Sequence, residues 1–475
     1  MKTFRPSLHS ALLISIQFLL TSICPAHAGE LTATQRAWLE KGERHDKHGW
    51  VYLHIEGAPR ERGFQHGYLL AKEIAEALRV TREGWGHESG MEWTWLIAKS
   101  RQIINPKVDA ENMAEIDAIA EGVRAAGFKT SRDELVAYNA IIDLSGYWWP
   151  EEKKKHDYNS PNLPKQACSS FIAVGSATAN GGVVLGHNTM SGFVDANYYV
   201  IADIAPTKGH RILMQTQPGW VHSGTDFFIT DAGLVGSETT IGGFHGFKEK
   251  AIPEFVRMRR ATQDASTLGQ WCDIMKVGNN GGYANAWLIG DVNRNEIACL
   301  ELGLKHVAFE KKRDGFFVSS NVAEDLKILR LETDADDTDV RSSGVARRVR
   351  WKELMKQYTG KLDLELAKKF EADHYDSYLK KENPGRRTLC SHGDRDDLMN
   401  SAGVPFFPGG TCDAKVVDSK FAREMAFAAR WGSACGMPFD AVAFLDEHPQ
   451  FDWMKDVLKS RPSQPWTVFR AGEKQ

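Results

Sequence analysis

Apolar residues recur at three- and four-residue intervals through 67–78 and again through 113–123, a spacing that lines one face of a helix. Ser131, three residues ahead of Glu134, opens a further helix as its N-cap, with the glutamate in the capping-box position. Helix is therefore predicted across most of 60–145. Beyond residue 168 the period changes. Short apolar runs at 171–174, 183–186, 198–204, 211–215, 226–230, 286–290, 297–301 and 315–319 are divided by turn-forming residues and read as strands of antiparallel sheets. Asn180-Gly181-Gly182 separates the first two and favours the positive φ of a tight hairpin. Helical spacing returns at 253–265, 345–358 and 364–370, and around 421–430. Strands flanked on both sides by helices predict an α+β fold with layers in the order helix, sheet, sheet, helix.

Two stretches fall outside this pattern. Residues 1–28 carry Lys2 and Arg5, an apolar run over 11–23, and the small-x-small site Ala26-His27-Ala28. They read as a cleaved secretory signal peptide, too short in its apolar part for a membrane span. The protein is thus expected to be secreted or periplasmic, with no stable membrane anchor. Residues 150–167 hold Glu151-Glu152-Lys153-Lys154-Lys155 and then Asn159-Ser160-Pro161-Asn162-Leu163-Pro164, without periodicity. They read as an exposed loop. The expected organisation is a signal peptide at 1–28, a helical segment at 29–167 ending in that loop, and a strand-rich catalytic part at 168–475.

Composition narrows the functional classes. The chain is 42% hydrophobic and 25% charged, with a formal net charge of -3. It has no basic excess and no Lys/Arg cluster interleaved with aromatics, so nucleic acid is not an expected partner. Fourteen Trp and 23 Phe suit large cores and apolar substrate pockets. Beyond the signal peptide lie Cys168, Cys272, Cys299, Cys390, Cys412 and Cys435. An exported protein favours disulfides, and Cys390 with Cys412 is a plausible bridge. No CxxC pair occurs and no spacing reads as a structural zinc site, so neither metal nor cofactor is expected. His392-Gly393-Asp394-Arg395-Asp396-Asp397 reads as a polar loop. No Gly-x-Ser-x-Gly elbow follows a strand, which disfavours a serine α/β-hydrolase.

The candidate chemistry centres on Cys168, at the junction of the loop and the first apolar strand in Gln166-Ala167-Cys168-Ser169-Ser170-Phe171-Ile172. Cleavage between Ala167 and Cys168 would leave the cysteine as a new N-terminus. A thiol with a pKa near 8.5 needs a base. A free α-amine, with a pKa of roughly 7.7–8.0, suits that task, and only cleavage creates it on the same residue. The hairpin folds the strand bearing His187 back toward Cys168. Asn285 offers a side-chain amide to an oxyanion. Against this stands the plainer possibility that Cys168 is one more buried cysteine.

Several segments are too unusual for generic core: Gly186-His187-Asn188-Thr189, Pro218-Gly219-Trp220, Glu238-Thr239-Thr240-Ile241-Gly242, Tyr283-Ala284-Asn285-Ala286-Trp287 and Gly410-Thr411-Cys412-Asp413-Ala414-Lys415. Together they resemble the phospholipase B-like family of N-terminal-nucleophile hydrolases. Gly57-Ala58-Pro59-Arg60-Glu61-Arg62-Gly63 and Leu389-Cys390-Ser391-His392 echo the related penicillin acyltransferase-type enzymes. The resemblance is dense over about 165–305. It implies a four-layer αββα fold with antiparallel sheets, self-cleavage at Ala167–Cys168, and catalytic roles for Cys168, His187 and Asn285. It also implies substrate-binding positions at Thr239, Thr240, Met190 and Trp287. Met190 departs from the family, which tends to carry Trp shortly after this histidine. The implied activity is hydrolysis of an acyl ester or amide in a small-molecule substrate, a lipid or an N-acyl compound. An N-acyl amidase or acyltransferase is the alternative within the same chemistry. A non-catalytic lipid-binding protein is the alternative of another class.

Overall fold

The computed structural model describes residues 30–155, 168–224, 227–397 and 404–474. The segment expected to be a signal peptide and Ala167 therefore lie outside the described residues, as does most of the stretch expected to form a loop before Cys168. Strands β1 (Glu43–Lys47) and β2 (Trp50–Gly57) follow a short helix, Ala33–Leu39, and precede the other N-terminal helices, and β3 (Ser169–Gly175) and β4 (Gly181–Gly192) form the hairpin after Cys168. Then come β5 (Val200–Pro206), β6 (Ile212–Thr216), β7 (Phe227–Thr230), β8 (Leu234–Thr240), β9 (Asn285–Asp291), β10 (Glu296–Leu302), β11 (Val307–Lys312) and β12 (Gly315–Ser319). The last are β13 (Tyr375–Asp376), β14 (Lys381–Glu382), β15 (Gly409–Asp418), β16 (Ala426–Trp431) and β17 (Thr467–Arg470).

A large sheet runs β1-β2-β5-β6-β7-β8-β9-β10-β11, and a smaller one runs β12-β3-β4-β15-β16-β17. Their facing sides share one apolar core, with Ile172, Val174 and Leu185 against Leu213, Ile229, Val235 and Leu288. The outer face of the large sheet packs against the N-terminal helices and helices Glu254–Asp264 and Leu268–Lys276. The outer face of the small sheet packs against helices Ser343–Gln357 and Leu364–Glu371. The layers are helix, sheet, sheet, helix, as the alternation of periods predicts.

Local differences have physical reasons. Residues 43–57 form two strands, β1 and β2, that the polar start of this stretch conceals. β2 pairs with β5 in parallel, the one parallel ladder among the described strands. The segment before Cys168 thus supplies part of the large sheet and is not purely helical. Around 421–430 the expected helix is a single turn, Ser419–Arg423, followed by β16, because Ala426 to Ala429 pair with β17 and Ala428 to Trp431 pair with β15. The hairpin loop spans residues 176–180 rather than a two-residue turn, with Asn180 Oδ1 accepting from Gly182 N at 2.9 Å. Residues 150–155, expected as loop, continue in helical turns, with Glu152 buried.

Helices Pro59–Leu69 and Ala110–Ala125 touch backbone to backbone through glycine. A Cβ on Gly67 would lie 2.0 Å from the Ile119 carbonyl oxygen, and one on Gly63 2.3 Å from that of Glu115. The close approach seats His66, whose Nε2 accepts from Gly219 N at 2.9 Å and holds the Pro218-Gly219-Trp220 loop. Gly67→Ala is expected to destabilise the fold by about 1–3 kcal/mol, the cost of overpacking. Urea denaturation of the purified variant reads this directly, and an unchanged midpoint would contradict it.

Candidate active site

Cys168 immediately precedes β3 and is fully buried. The apolar run Phe171 to Val174 commits β3 to the interior, and the two serines before it carry the polar end of the strand. Side chains alternate along a strand. Ser169 faces the outer helices, where Trp351 Nε1 donates to its Oγ at 2.8 Å. Ser170 faces the large sheet, with its Oγ 2.6 Å from Ser237 Oγ. Arg347, buried on helix Ser343–Gln357, donates from Nη1 to the Cys168 carbonyl at 2.6 Å and from Nη2 to Asn321 Oδ1 at 2.7 Å. This clamp fixes the backbone of the residue whose thiol is in question.

His187 stands opposite Ser170 on β3 and opposite Lys415 on β15. It therefore faces the inter-sheet layer beside a second buried polar set. Lys415 Nζ donates to Thr189 Oγ1 at 2.6 Å, to Asp413 Oδ1 at 2.5 Å and to Gln215 Oε1. Gln215 Nε2 closes the set by donating to Asp413 Oδ2 at 2.6 Å. Lys415 and Asp413 are both fully buried. The sequence reading names neither as a site residue, although the signal is present: polar residues at i and i+2 on an otherwise apolar strand, which places both on one face.

Burial drives the protonation states. It pushes the Cys168 thiol far above its ordinary pKa, and Glu238 adds to this, while the Met190 backbone and Lys415 pull it back. The thiol is un-ionised in this structure. Burial and the Lys415 charge hold His187 well below the usual histidine pKa, so its ring is neutral. The unfolded chain takes up that proton as pH falls through about 6.5, so the folded state loses stability below that point, by up to about 1.4 kcal/mol per pH unit. Stability between about pH 6.5 and 5 is expected to fall more steeply with acidification in wild type than in His187→Asn. Equal slopes in urea titrations at several pH values would contradict a neutral His187.

The other expected site residues divide clearly. Thr239 Oγ1 is paired with Ser319 Oγ across the sheets. Thr240 Oγ1 is buried without a hydrogen-bond partner, as are both ring nitrogens of His187 and both side-chain polar atoms of Asn285. Thr240 and Asn285 are partners in the β8–β9 ladder. Asn321 Nδ2 donates to the Thr240 carbonyl at 2.7 Å, so hydrogen bonds run from Cys168 through Arg347 and Asn321 to the end of β8, whose last residue pairs with Asn285 on β9. No hydrogen bond joins Asn285 to Cys168 among the described residues. The Met190 backbone lies beside the Cys168 thiol, and its side chain is buried. Trp287 is buried beneath the large sheet, 5.0 Å from Trp271 between ring centroids, in the packing layer against the helices. The expected Cys390–Cys412 bridge is not formed. Cys412 Sγ approaches the Ser191 carbonyl at 3.6 Å, while Cys390 lies beside His392, with their Sγ and Nε2 3.5 Å apart.

The region holding these positions also matches known proteins. Residues 108–308 match the family model of Phospholipase B. The chain is related to the phospholipase B-like proteins. Human putative phospholipase B-like 2 is 30% identical over 152 residues, 28% of this chain and 25% of that protein. An uncharacterized protein of Archaeoglobus fulgidus is 27% identical over 200 residues, 39% of this chain and 32% of that protein. Phospholipase B-like protein C of Dictyostelium discoideum is 25% identical over 154 residues, 29% of this chain and 27% of that protein. The matches thus span about a quarter to a third of these relatives. Among solved structures, a mutant conjugated bile acid hydrolase from Clostridium perfringens covers 55% of this chain and 89% of its own, at 10% identity and a TM-score of 0.33, a distant likeness. Cys168, His187, Thr239, Thr240 and Asn285 all lie within the span matched to the family. No helix among the described residues is long and apolar enough to cross a membrane.

Proposed function

We propose that this protein is an acyl hydrolase that uses Cys168 as nucleophile after cleavage of the bond to Ala167. The observation that carries this reading is the environment of Cys168. Its carbonyl accepts a hydrogen bond from the buried Arg347 guanidinium, and its buried thiol lies within reach of the charges of Glu238, Lys415 and Asp413. A cysteine kept only for packing needs neither.

In the uncut chain the thiol is protonated and its backbone nitrogen is an amide, so no base stands on the residue. Cleavage converts that amide into an amine able to take the thiol proton. The thiolate then attacks the acyl carbonyl, the alcohol or amine leaves with a proton, and a thioester remains on Cys168. Water attacks the thioester, releases the acid and restores the thiol. The neutral His187 ring accepts a hydrogen bond from the amine and orients it. The orphaned amide of Asn285 and hydroxyl of Thr240 are among the buried polar groups of this region without a protein partner and are assigned to substrate, since buried polar groups are nearly always paired. Asn285 Nδ2 is assigned to the oxyanion and Met190 to the pocket wall. The acyl ester of a lipid is the favoured substrate class, resting on the relatives' name, and an N-acyl compound is the second.

Product analysis with phospholipid and N-acyl substrates tests the activity. Free fatty acid from wild type and none from Cys168→Ala is the expected result. Ligand binding by both proteins with no turnover by either would instead support a lipid-binding protein. The shared large sheet adds a structural expectation. Since β2 pairs with β5 across the cleavage point, the two fragments stay together under native conditions and separate only in denaturant. Size-exclusion chromatography of the cut protein checks this, and spontaneous dissociation would contradict it.

A further inference from the structure

Far along the chain from these residues, and outside the span matched to the family, the fold gathers two cysteines and two histidines. His374, Cys390, His392 and Cys435 bring their Nε2, Nδ1 or Sγ atoms within 4.8 Å of one another. His374 Nε2 is 3.2 Å from His392 Nε2, and His392 Nε2 is 3.5 Å from the Sγ of both Cys390 and Cys435. A tetrahedral zinc ion bonds nitrogen at about 2.0–2.1 Å and thiolate sulfur at about 2.3 Å, which sets the N···N edge near 3.3 Å and the N···S edge near 3.6 Å. The three separations fit those edges.

The geometry points to a structural zinc site formed by His374, Cys390, His392 and Cys435. Two sulfurs and two imidazoles in a tetrahedron are the donor set zinc favours. All four positions come from side chains, so no vertex stays open for water or substrate, which marks a structural rather than a catalytic ion. The surroundings suit thiolates. Met437 N donates to Cys435 Sγ at 3.4 Å. Asp394 Oδ1 lies 3.9 Å from the far nitrogen of His392, on the side where a carboxylate orients a metal-bound imidazole.

The site joins segments distant in sequence. His374 follows helix Leu364–Glu371, Cys390 and His392 end the excursion that carries β13 and β14, and Cys435 sits in the turn after β16. The same excursion is tied to the catalytic hairpin: Asn188, the neighbour of His187, donates from Nδ2 to the carbonyls of Glu371 and Leu389, both at 2.8 Å. Zinc would therefore lock the outer support of β4 and β15.

Zinc content and X-ray absorption of the full-length protein, purified without chelator, test the site. The expected result is about one zinc per chain with two sulfur neighbours near 2.3 Å and two nitrogen neighbours near 2.0–2.1 Å. Cys390→Ser with Cys435→Ser should remove that zinc. Wild-type absorption decides the matter even if the double variant fails to fold. A metal-free wild-type protein would overturn the proposal, as would a Cys390–Cys435 disulfide found by peptide mapping, or zinc with only oxygen and nitrogen neighbours.

Discussion

Cys168→Ala is expected to remain a single uncut chain and to lose acyl hydrolysis by on the order of 10⁴–10⁶-fold, the scale seen when a covalent nucleophile is removed. The substitution takes away one buried sulfur and leaves the Arg347 clamp, which holds the backbone carbonyl, in place. The variant should therefore fold, with an unchanged circular dichroism spectrum. Acid-quenched wild-type enzyme should carry acyl mass on the fragment beginning at Cys168, and the variant should carry none. Full activity in the variant, or acyl mass on another residue, would remove Cys168 from the chemistry.

The largest expected effect on stability belongs to Lys415. Lys415→Met keeps the length of the side chain and leaves the Asp413 carboxylate in a fully buried position without its cation. Breaking a buried pair from one side costs about 3–5 kcal/mol, because the remaining charge is uncompensated. Pairing Lys415→Met with Asp413→Asn removes that charge, so the double variant should be more stable than Lys415→Met alone. Urea unfolding of the three variants measures the coupling. A cost under about 1 kcal/mol for Lys415→Met would mean that Asp413 is already neutral or reached by water. Activity adds a second readout, since Lys415 lies beside His187 and is the side chain that pulls the Cys168 pKa downward.

The layered fold is legible in the sequence because its period changes sharply at Cys168. The apolar run Phe171 to Val174 in β3 and the helical spacing of 113–123 are signals that tertiary context reinforces. β1 escapes because Glu43-Arg44-His45-Asp46-Lys47 is an edge strand with charged side chains, a composition suited to blunting an edge and without the apolar alternation that marks a strand. β16 escapes because Ala426, Ala428 and Ala429 suit either helix or strand, and pairing with β17, joined by β15 at Ala428 and Ala429, decides the matter.

The candidate site divides along the same line. Cys168 and His187 are found from local sequence because one hairpin carries both. Thr240 and Asn285 come through the family resemblance, and their orphaned polar atoms give them separate physical support. Arg347 is invisible in sequence, since it lies on a helix 179 residues beyond Cys168 in the chain and nothing local distinguishes it from other helix arginines. The cluster of His374, Cys390, His392 and Cys435 is hidden for the same reason. Its ligands come from an irregular excursion and a turn, with no CxxC spacing to announce them. Trp287, singled out by its place after Asn285, serves the core because strand alternation turns it toward Trp271.

N-terminal sequencing with intact mass analysis of the purified wild-type protein tests the central claim most directly. The expected result is a fragment that begins at Cys168 with a free α-amine, bound to the preceding fragment until denaturant is added. An active protein consisting of one uncut chain through Ala167–Cys168 would contradict it.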